Sequence, residues 1–276
     1  MALPPNVKAS ANAVPNEKRA DFDRNPIYDR RVVVFYDFLG WRNHITDAGC
    51  APANLRELRQ MILRHTRMLG VKTDLAIRTS SFSDNMVVTQ VPDDRTKMLM
   101  QHLANVQLGS ALVGFLVRGG ITVGNVVHDD EVVFGPGLNR AYELESTVAK
   151  YPRIVLDPDV KKEFADLGPL VVEESGVRFL DPFRPFYIEA LKKAEQEDPA
   201  KVAAAGLPPP QGVFKKYAKD FLDNVLNTLE DKLKKPTDDA AFEKIAWLHD
   251  RIAKQTGKPL AATLPRVKPK AAAFFR

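Results

Sequence analysis

The sequence predicts an α+β fold: a ferredoxin-like core, with an antiparallel or mixed sheet flanked by helices, followed by a C-terminal helical extension. Two observations carry this. The apolar patterning reads βα-ββ-αβ and then further βαβ elements, the order of a split βαβ unit. After about residue 190 the pattern changes to two long amphipathic helical stretches.

Residues 1–30, with Pro4, Pro5, Pro15 and Pro26 among polar residues, read as an N-terminal arm. Arg31–Asp37 is a β-branched and aromatic run, hence a buried strand. Pro52–Leu69 carries Leu55, Leu58, Ile62, Met68 and Leu69 at helical spacing. Asp74–Thr79 and Asn85–Val91 read as strands joined by the polar turn SSFSD. Asp94–Leu112 is helical, and Gly114–Val127 is a long strand broken by Gly119, Gly120 and Gly124. Glu131–Phe134 is a short strand, and Pro136–Ala149 a helix with proline in its first turn. Arg153–Leu156 is a strand, Asp157–Phe164 a short helix, and Leu170–Glu173 with Val177–Leu180 a closing hairpin. Residues 186–197 are helical and 198–212 a Pro-rich linker. Helices near Val213–Lys235 and Asp238–Gln255 precede a Pro- and Ala-rich tail. Three parts follow: the arm, a core over 31–189, and a helical extension with a basic tail over 190–276.

The formal charge of +5 is unevenly placed. Residues 1–189 hold 23 Lys and Arg against 24 Asp and Glu, and residues 190–276 hold 17 against 11. The basic pI therefore belongs to the extension. Its lysines, such as Lys215, Lys216, Lys219, Lys232, Lys234 and Lys235, are interleaved with Asp220, Asp223, Glu230 and Asp231 along an apolar stripe. That is the pattern of a packed helical pair with a solvated charged face, and no nucleic-acid partner is expected. A single cysteine, Cys50, excludes a disulfide scaffold and fits a cytoplasmic protein. The longest stretch without Asp, Glu, Lys or Arg, Met98–Val117, is interrupted by Gln101, His102, Asn105, Gln107 and Ser110, so no membrane insertion is expected. The N-terminus lacks the apolar core of a signal peptide.

Two acids stand out. Asp37 ends an apolar strand and is followed by Phe38, Leu39 and Gly40, where the chain can approach a phosphate closely. Asp84 lies in the turn between two strands. If those strands neighbour the first, both carboxylates meet at one end of the sheet, a donor set suited to Mg²⁺ or Mn²⁺. Glu143 and Glu145 read as solvated helix charges or intersubunit partners, and His128, beside Asp129 and Asp130, as a loop residue.

FYDFLGW at 35–41, FSDNMVV at 82–88, RGGITVG at 118–124, FGPGLNRAYELES at 134–146 and YPRIVL at 151–156, taken as an ordered set, resemble the class III nucleotidyl cyclases. They are most similar to the pyrimidine (uridylate and cytidylate) cyclases of Pycsar anti-phage defence systems. The resemblance covers about residues 31–185. It implies a cytoplasmic homodimer with active sites at the subunit interface, two Mn²⁺ or Mg²⁺ ions, and a lyase reaction in which the ribose 3′-oxygen of a nucleoside triphosphate attacks the α-phosphorus and releases pyrophosphate. The cyclic product (cUMP or cCMP) would activate a downstream effector in antiviral defence. Asp37 and Asp84 match the metal-binding aspartates. The Phe38 carbonyl would be a further metal ligand, and the amides of Leu39, Gly40 and Trp41 would touch the triphosphate. Asn139 matches the asparagine that orients the ribose.

The departures from that pattern bear on substrate. The position of the transition-state arginine, four residues after Asn139, is Glu143. Arg118, Arg153 and Arg78 are the candidates to replace it. The purine-reading lysine and aspartate positions are Ser80 and Val132. A site without those partners rejects purines and leaves UTP or CTP as substrate, with a slight lean to UTP. The missing arginine also keeps open a catalytically silent nucleotide-binding module, and the basic helices keep open nucleic-acid binding.

Overall fold

The structure, a computed structural model of the chain, describes residues 27–49, 52–69, 77–164, 167, 169–194, 221–234, 236 and 238–264. The arm up to residue 26, Cys50, the 198–212 stretch, the lysines at 215, 216 and 219, and the tail from 265 lie outside the described residues.

Strand β1 (Asp29–Leu39) is followed by helices α1 (Trp41–Ala48) and α2 (Pro52–Leu69), then by the hairpin β2 (Arg78–Phe82) and β3 (Asn85–Gln90). Helix α3 (Thr96–Leu112) leads to β4 (Leu116–His128), which folds back on the short β5 (Val133–Phe134). Helix α4 (Pro136–Glu143) passes into a π turn over Leu144–Val148. β6 (Ile154–Leu156), α5 (Pro158–Glu163), β7 (Val171–Glu174), β8 (Val177–Leu180) and α6 (Pro185–Ala194) complete the core, and α7 (Phe221–Lys234) and α8 (Asp239–Thr256) follow.

The sheet runs β2-β3-β1-β4-β6-β8-β7. Its first four strands are antiparallel in the ferredoxin-like order, and β6 then pairs parallel with β4, which makes the sheet mixed. The α+β architecture is as the sequence predicts. The β1 register makes both faces work. Val32, Val34, Tyr36 and Phe38 pack under α3 with Leu99, Met100, Leu103 and Val106. Val33 and Phe35, on the other face, pack under α4 with Val126, Ala141 and Leu138.

Several expectations are corrected. β4 is continuous where glycines were expected to break it. Gly120 and Gly124 instead admit α4: a Cβ on Gly120 would overlap the Ala141 carbonyl oxygen and approach the Leu144 Cβ to 2.6 Å. Gly120→Ala is therefore expected to lift α4 and lower stability by about 1–3 kcal/mol, read as a shifted urea midpoint; an unchanged midpoint would contradict this packing. The expected SSFSD turn is shorter. Ser80, Ser81 and Phe82 stay in β2, and the turn is Ser83-Asp84 alone, with Ser83 in the left-handed region at φ 58. The helix from Pro136 changes to π geometry at Leu144, five residues before its expected end. Helix α1 was not expected; in its eight residues a single apolar pair, Trp41 and Ile45, carries the helical spacing.

The helical extension is not peripheral. Phe221, Val225, Leu226, Leu229, Leu248 and Ile252 share one buried cluster with Ala104, Leu108 and Ala111 of α3. Trp247 of α8 stacks on Tyr151 at 5.2 Å with planes 7° apart. Among the described residues no helix is long and apolar enough to cross a membrane.

Candidate active site

The face of the sheet under α4 carries the site. By β1–β4 register Asp37 stands opposite Arg118. The guanidinium grips it with both arms: Nε donates to Oδ1 at 3.0 Å and Nη2 to Oδ2 at 3.1 Å. A second acid closes in from the π turn after α4. Glu145 Oε1 lies 2.5 Å from Arg118 Nε, and the Glu145 side chain is only 2% exposed. The Nε hydrogen is already spent on Asp37, so Oε1 is buried without a hydrogen bond. Burial, then the adjacent Asp37 carboxylate, push the Glu145 acid up to about 7 against the pull of Arg118. Two acids thus share one cation.

Glu145 corrects the expectation of a solvated charge. It lies four residues after Ala141 and eight after Gly137, both buried against β4. That small-residue spacing is the signal that marks the inward stripe of the helix.

Beside this cluster lies a cleft of about 550 Å³. Phe35, Val87, Val133 and Tyr142 form apolar walls, while Ser80, Ser81, Asn85 and Ser146 add polar groups. Tyr142 meets Phe35 edge to face at 5.3 Å. Phe82 and Tyr142 are 82% and 55% exposed, an apolar rim.

The structure brings some expected site residues together and separates others. Continuing the β1–β3 register beyond Tyr36↔Met86 sets Asp37 opposite Asn85, the residue after Asp84. Both aspartates are therefore at one end of the sheet. Gly40 takes a left-handed φ of 78 and starts α1. Its carbonyl accepts from the amides of Asn43 and His44, while the first-turn amides of α1, among them Trp41, are spare by the geometry of any helix start. The Phe38 side chain turns to the core, where it meets Trp41 and Phe115 at 6.0 Å each, and Leu39 packs on the cluster below α3. The Trp41 side chain belongs to that aromatic group and does not line the cleft. Asn139 is exposed on the outer side of α4. Arg140, its neighbour, is held by Asp157 at 2.6 Å and Glu143 at 2.8 Å.

Of the three candidate arginines, Arg118 alone lines the cleft. Arg153 lies over the rings of Phe179, Tyr151 and Trp247 at 4.9, 5.7 and 5.7 Å, a seat that ties the core to α8. Arg78 donates to the main-chain oxygen of His128.

His128 corrects the loop reading. It ends β4, is 4% exposed, and meets Ser80 Oγ through Nε2 and Thr89 Oγ1 through Nδ1, both at 2.9 Å. Burial, then Arg78 and Arg31, lower its pKa to about 4, although Asp129 and Asp130 pull the other way. The imidazole is thus neutral in the fold and charges more readily when unfolded. Its contribution to stability is complete above about pH 6.5 and is lost as pH falls toward 4. Wild type is expected to lose on the order of 2–3 kcal/mol more than His128→Gln between pH 7 and pH 4. Equal losses in urea titrations would refute it.

Among the described residues no group of three or more His, Cys, Asp or Glu side chains forms a ready-made metal cage. The residues nevertheless fit a hard divalent cation of the kind that one or two carboxylates hold together with substrate phosphates. The donors are the carboxylate oxygens of Asp37 and Asp84, and Glu145 Oε1, against the same Arg118 guanidinium as Asp37, is buried without a hydrogen bond.

No protein-family model matches the chain, and no curated protein matches it in sequence. Its structural neighbours are nucleotidyl cyclases. The chain is similar to the adenylyl cyclase CyaB from P. aeruginosa, at 14% identity and a TM-score of 0.39, over 56% of this chain and 96% of that one. It is similar to the guanylyl cyclase domain of the RhoGC fusion protein from the aquatic fungus Blastocladiella emersonii, at 12% identity and a TM-score of 0.41, over 55% and 94%. A class III adenylyl cyclase-like ATP-binding protein from Pseudomonas aeruginosa is 16% identical, with a TM-score of 0.42, over 72% and 45%.

Proposed function

We propose that the protein is a metal-dependent nucleotidyl cyclase acting on a pyrimidine nucleoside triphosphate, UTP or CTP, and that it serves as a second-messenger synthase in anti-phage defence. The observation that supports this most is the pair of aspartates at one end of the sheet, next to a cleft with apolar walls and few polar groups. The ordered motif set at 35–41, 82–88, 118–124, 134–146 and 151–156 supports it too.

Asp37 and Asp84 would hold one or two Mg²⁺ or Mn²⁺ ions, with the Phe38 carbonyl. When bound, such ions supply acidity at the ribose 3′-hydroxyl and charge neutralisation at the triphosphate. The chain's own groups do the rest. Spare amides at the start of α1 and the close approach allowed by Gly40 receive phosphate oxygens. Phe35, Val133 and Tyr142 enclose the base and exclude water. The 3′-oxygen forms a bond to the α-phosphorus, the bond to the β-phosphate oxygen breaks, pyrophosphate leaves, and the hydroxyl proton passes to water. Arg118, which lines the cleft, would be the guanidinium within reach of the developing phosphoryl charge. The exposed apolar rim and the outward Asn139 suit a second copy of the chain closing the site, in a homodimer.

Incubation of the full chain with each of ATP, GTP, UTP and CTP plus Mn²⁺, with the product read by mass, tests this. The expected product is a cyclic pyrimidine monophosphate. No cyclic product from any of the four, in folded protein, would refute it. One observation favours a second reading, a catalytically silent nucleotide-binding module: Arg118 already occupies both Asp37 oxygens. That reading expects calorimetric nucleotide binding without turnover.

A further inference from the structure

Behind Ser80 runs a chain of side chains that the reaction described above does not use. Arg31 Nε donates to Thr89 Oγ1 at 3.1 Å, Thr89 Oγ1 meets His128 Nδ1 at 2.9 Å, and His128 Nε2 meets Ser80 Oγ at 2.9 Å. Thr89 is fully buried, and Arg31 is 5% exposed. Ser80 stands at the far end, on the cleft.

The direction of every bond follows from the first. Arginine has no acceptor, so Thr89 Oγ1 accepts there and keeps one hydrogen to give. His128 Nδ1 is the acceptor within reach of that hydrogen. The ring is neutral, so it carries a single proton. With Nδ1 accepting, that proton is on Nε2 and is donated to Ser80 Oγ. The opposite tautomer would leave the buried Thr89 hydroxyl hydrogen without an acceptor. The Ser80 oxygen therefore receives a hydrogen bond from behind and has its own hydrogen to offer to the cleft.

We propose that this relay fixes Ser80 as a hydrogen-bond donor to the nucleobase and so selects uracil over cytosine. The orientation of the nucleotide rests on the cyclase reading, with phosphates at Asp37. By strand register Ser80 lies two strands across from Asp37 and one residue pair along, since Ser80 pairs Val87 and Val87 pairs Phe35. Strand spacings make this about 12 Å, comparable with the span from a nucleotide's α-phosphate to the far edge of its base. The group of a pyrimidine that reaches furthest from the sugar is the exocyclic one on C4. In uracil it is a carbonyl oxygen, which accepts the Ser80 hydrogen. In cytosine it is an amino group, which could use only the remaining lone pair of Ser80 Oγ and would leave the Ser80 hydrogen without its acceptor. A site built to hydrogen-bond one edge rejects the analogue that cannot complete the bond. Arg31, Thr89 and His128 are positioning residues; of the four members of the relay only Ser80 reaches the base.

Two measurements on the full chain test this. Long-range ¹H–¹⁵N NMR of the His128 ring, assigned by its loss in His128→Gln, reads the tautomer without substrate. Calorimetric titration with UTP and with CTP, in Mg²⁺, reads preference without requiring turnover. The expected results are the Nε2–H tautomer and UTP bound at least about tenfold more tightly than CTP. Thr89→Val should bring the two affinities within about twofold, Thr89→Ser should restore the preference, and Ser80→Ala, at the cleft surface, should abolish it. An Nδ1–H tautomer, a preference for CTP, or a UTP preference that survives Ser80→Ala overturns the relay. UTP preference without cyclic product would defeat the cyclase reading and leave the relay standing; binding of neither nucleotide defeats both.

Discussion

Asp37→Asn is expected to reduce cyclic-nucleotide formation by about three orders of magnitude while leaving the protein folded. The substitution is isosteric. Arg118 keeps one amide oxygen as acceptor at position 37 and retains Glu145, 2.5 Å from its Nε, as counter-charge. The cost to stability is therefore about 1 kcal/mol and not the 3–5 kcal/mol of a buried charge left alone. What disappears is the anionic donor. Asp84→Asn, on the adjoining turn, should lose activity to a similar degree with still less effect on folding, because the side chain is only half-buried. Product yield by mass and a thermal melt on the same preparations separate the two effects. If both variants keep more than a tenth of wild-type activity, the aspartates do not hold the metals.

Trp247→Ala should be the most damaging change away from the cleft. Its indole is stacked on Tyr151, meets Phe179 at 5.9 Å, and lies under the guanidiniums of Arg153 and Arg251 at 5.7 and 5.5 Å. Truncation removes the apolar contact and the ring face that partners both cations. A loss of about 3–5 kcal/mol is expected, or roughly 10 °C in the melting midpoint for a chain of this size. A shift under about 2 °C would mean that α8 is held by other contacts. Activity per folded molecule should change little at a temperature where the variant is still native. A large fall there would give Arg153 a role beyond this seat.

Much of the fold was legible because apolar periodicity is a local signal. Val32–Val34 with Tyr36, and Leu99 with Leu103 and Val106, announce a strand and a helix without reference to anything else. The termini and breaks were less legible, since they depend on what packs across the chain. Gly120 and Gly124 look like strand breakers in isolation, yet they are the places where α4 comes down on β4. The site divides in the same way. Asp37 and Asp84 could be read from strand ends and a turn. Glu145 and His128 could not, because their burial is decided by the π turn after Glu143 and by the curl of β4 over β2. Arg153 was one of three equivalent arginines in sequence. Only α8, nearly a hundred residues later, distinguishes it from Arg118.

Helix α3 has a consequence for where the chain can be cut. Leu99, Leu103 and Val106 face the sheet, while Ala104, Leu108 and Ala111 face α7 and α8, so the helix is enclosed on both sides. This accounts for the longest uncharged stretch of the sequence, Met98–Val117, two of whose polar members are accommodated internally: Ser110 donates to the Val106 carbonyl at 2.6 Å, and Asn105 accepts from Tyr187 at 3.1 Å. A fragment ending at residue 189 would contain every motif of the cyclase-like region and still leave one side of its central helix bare to water. The smallest soluble unit for expression therefore extends through α8, and the basic extension is as much a wall of the core as the sheet is.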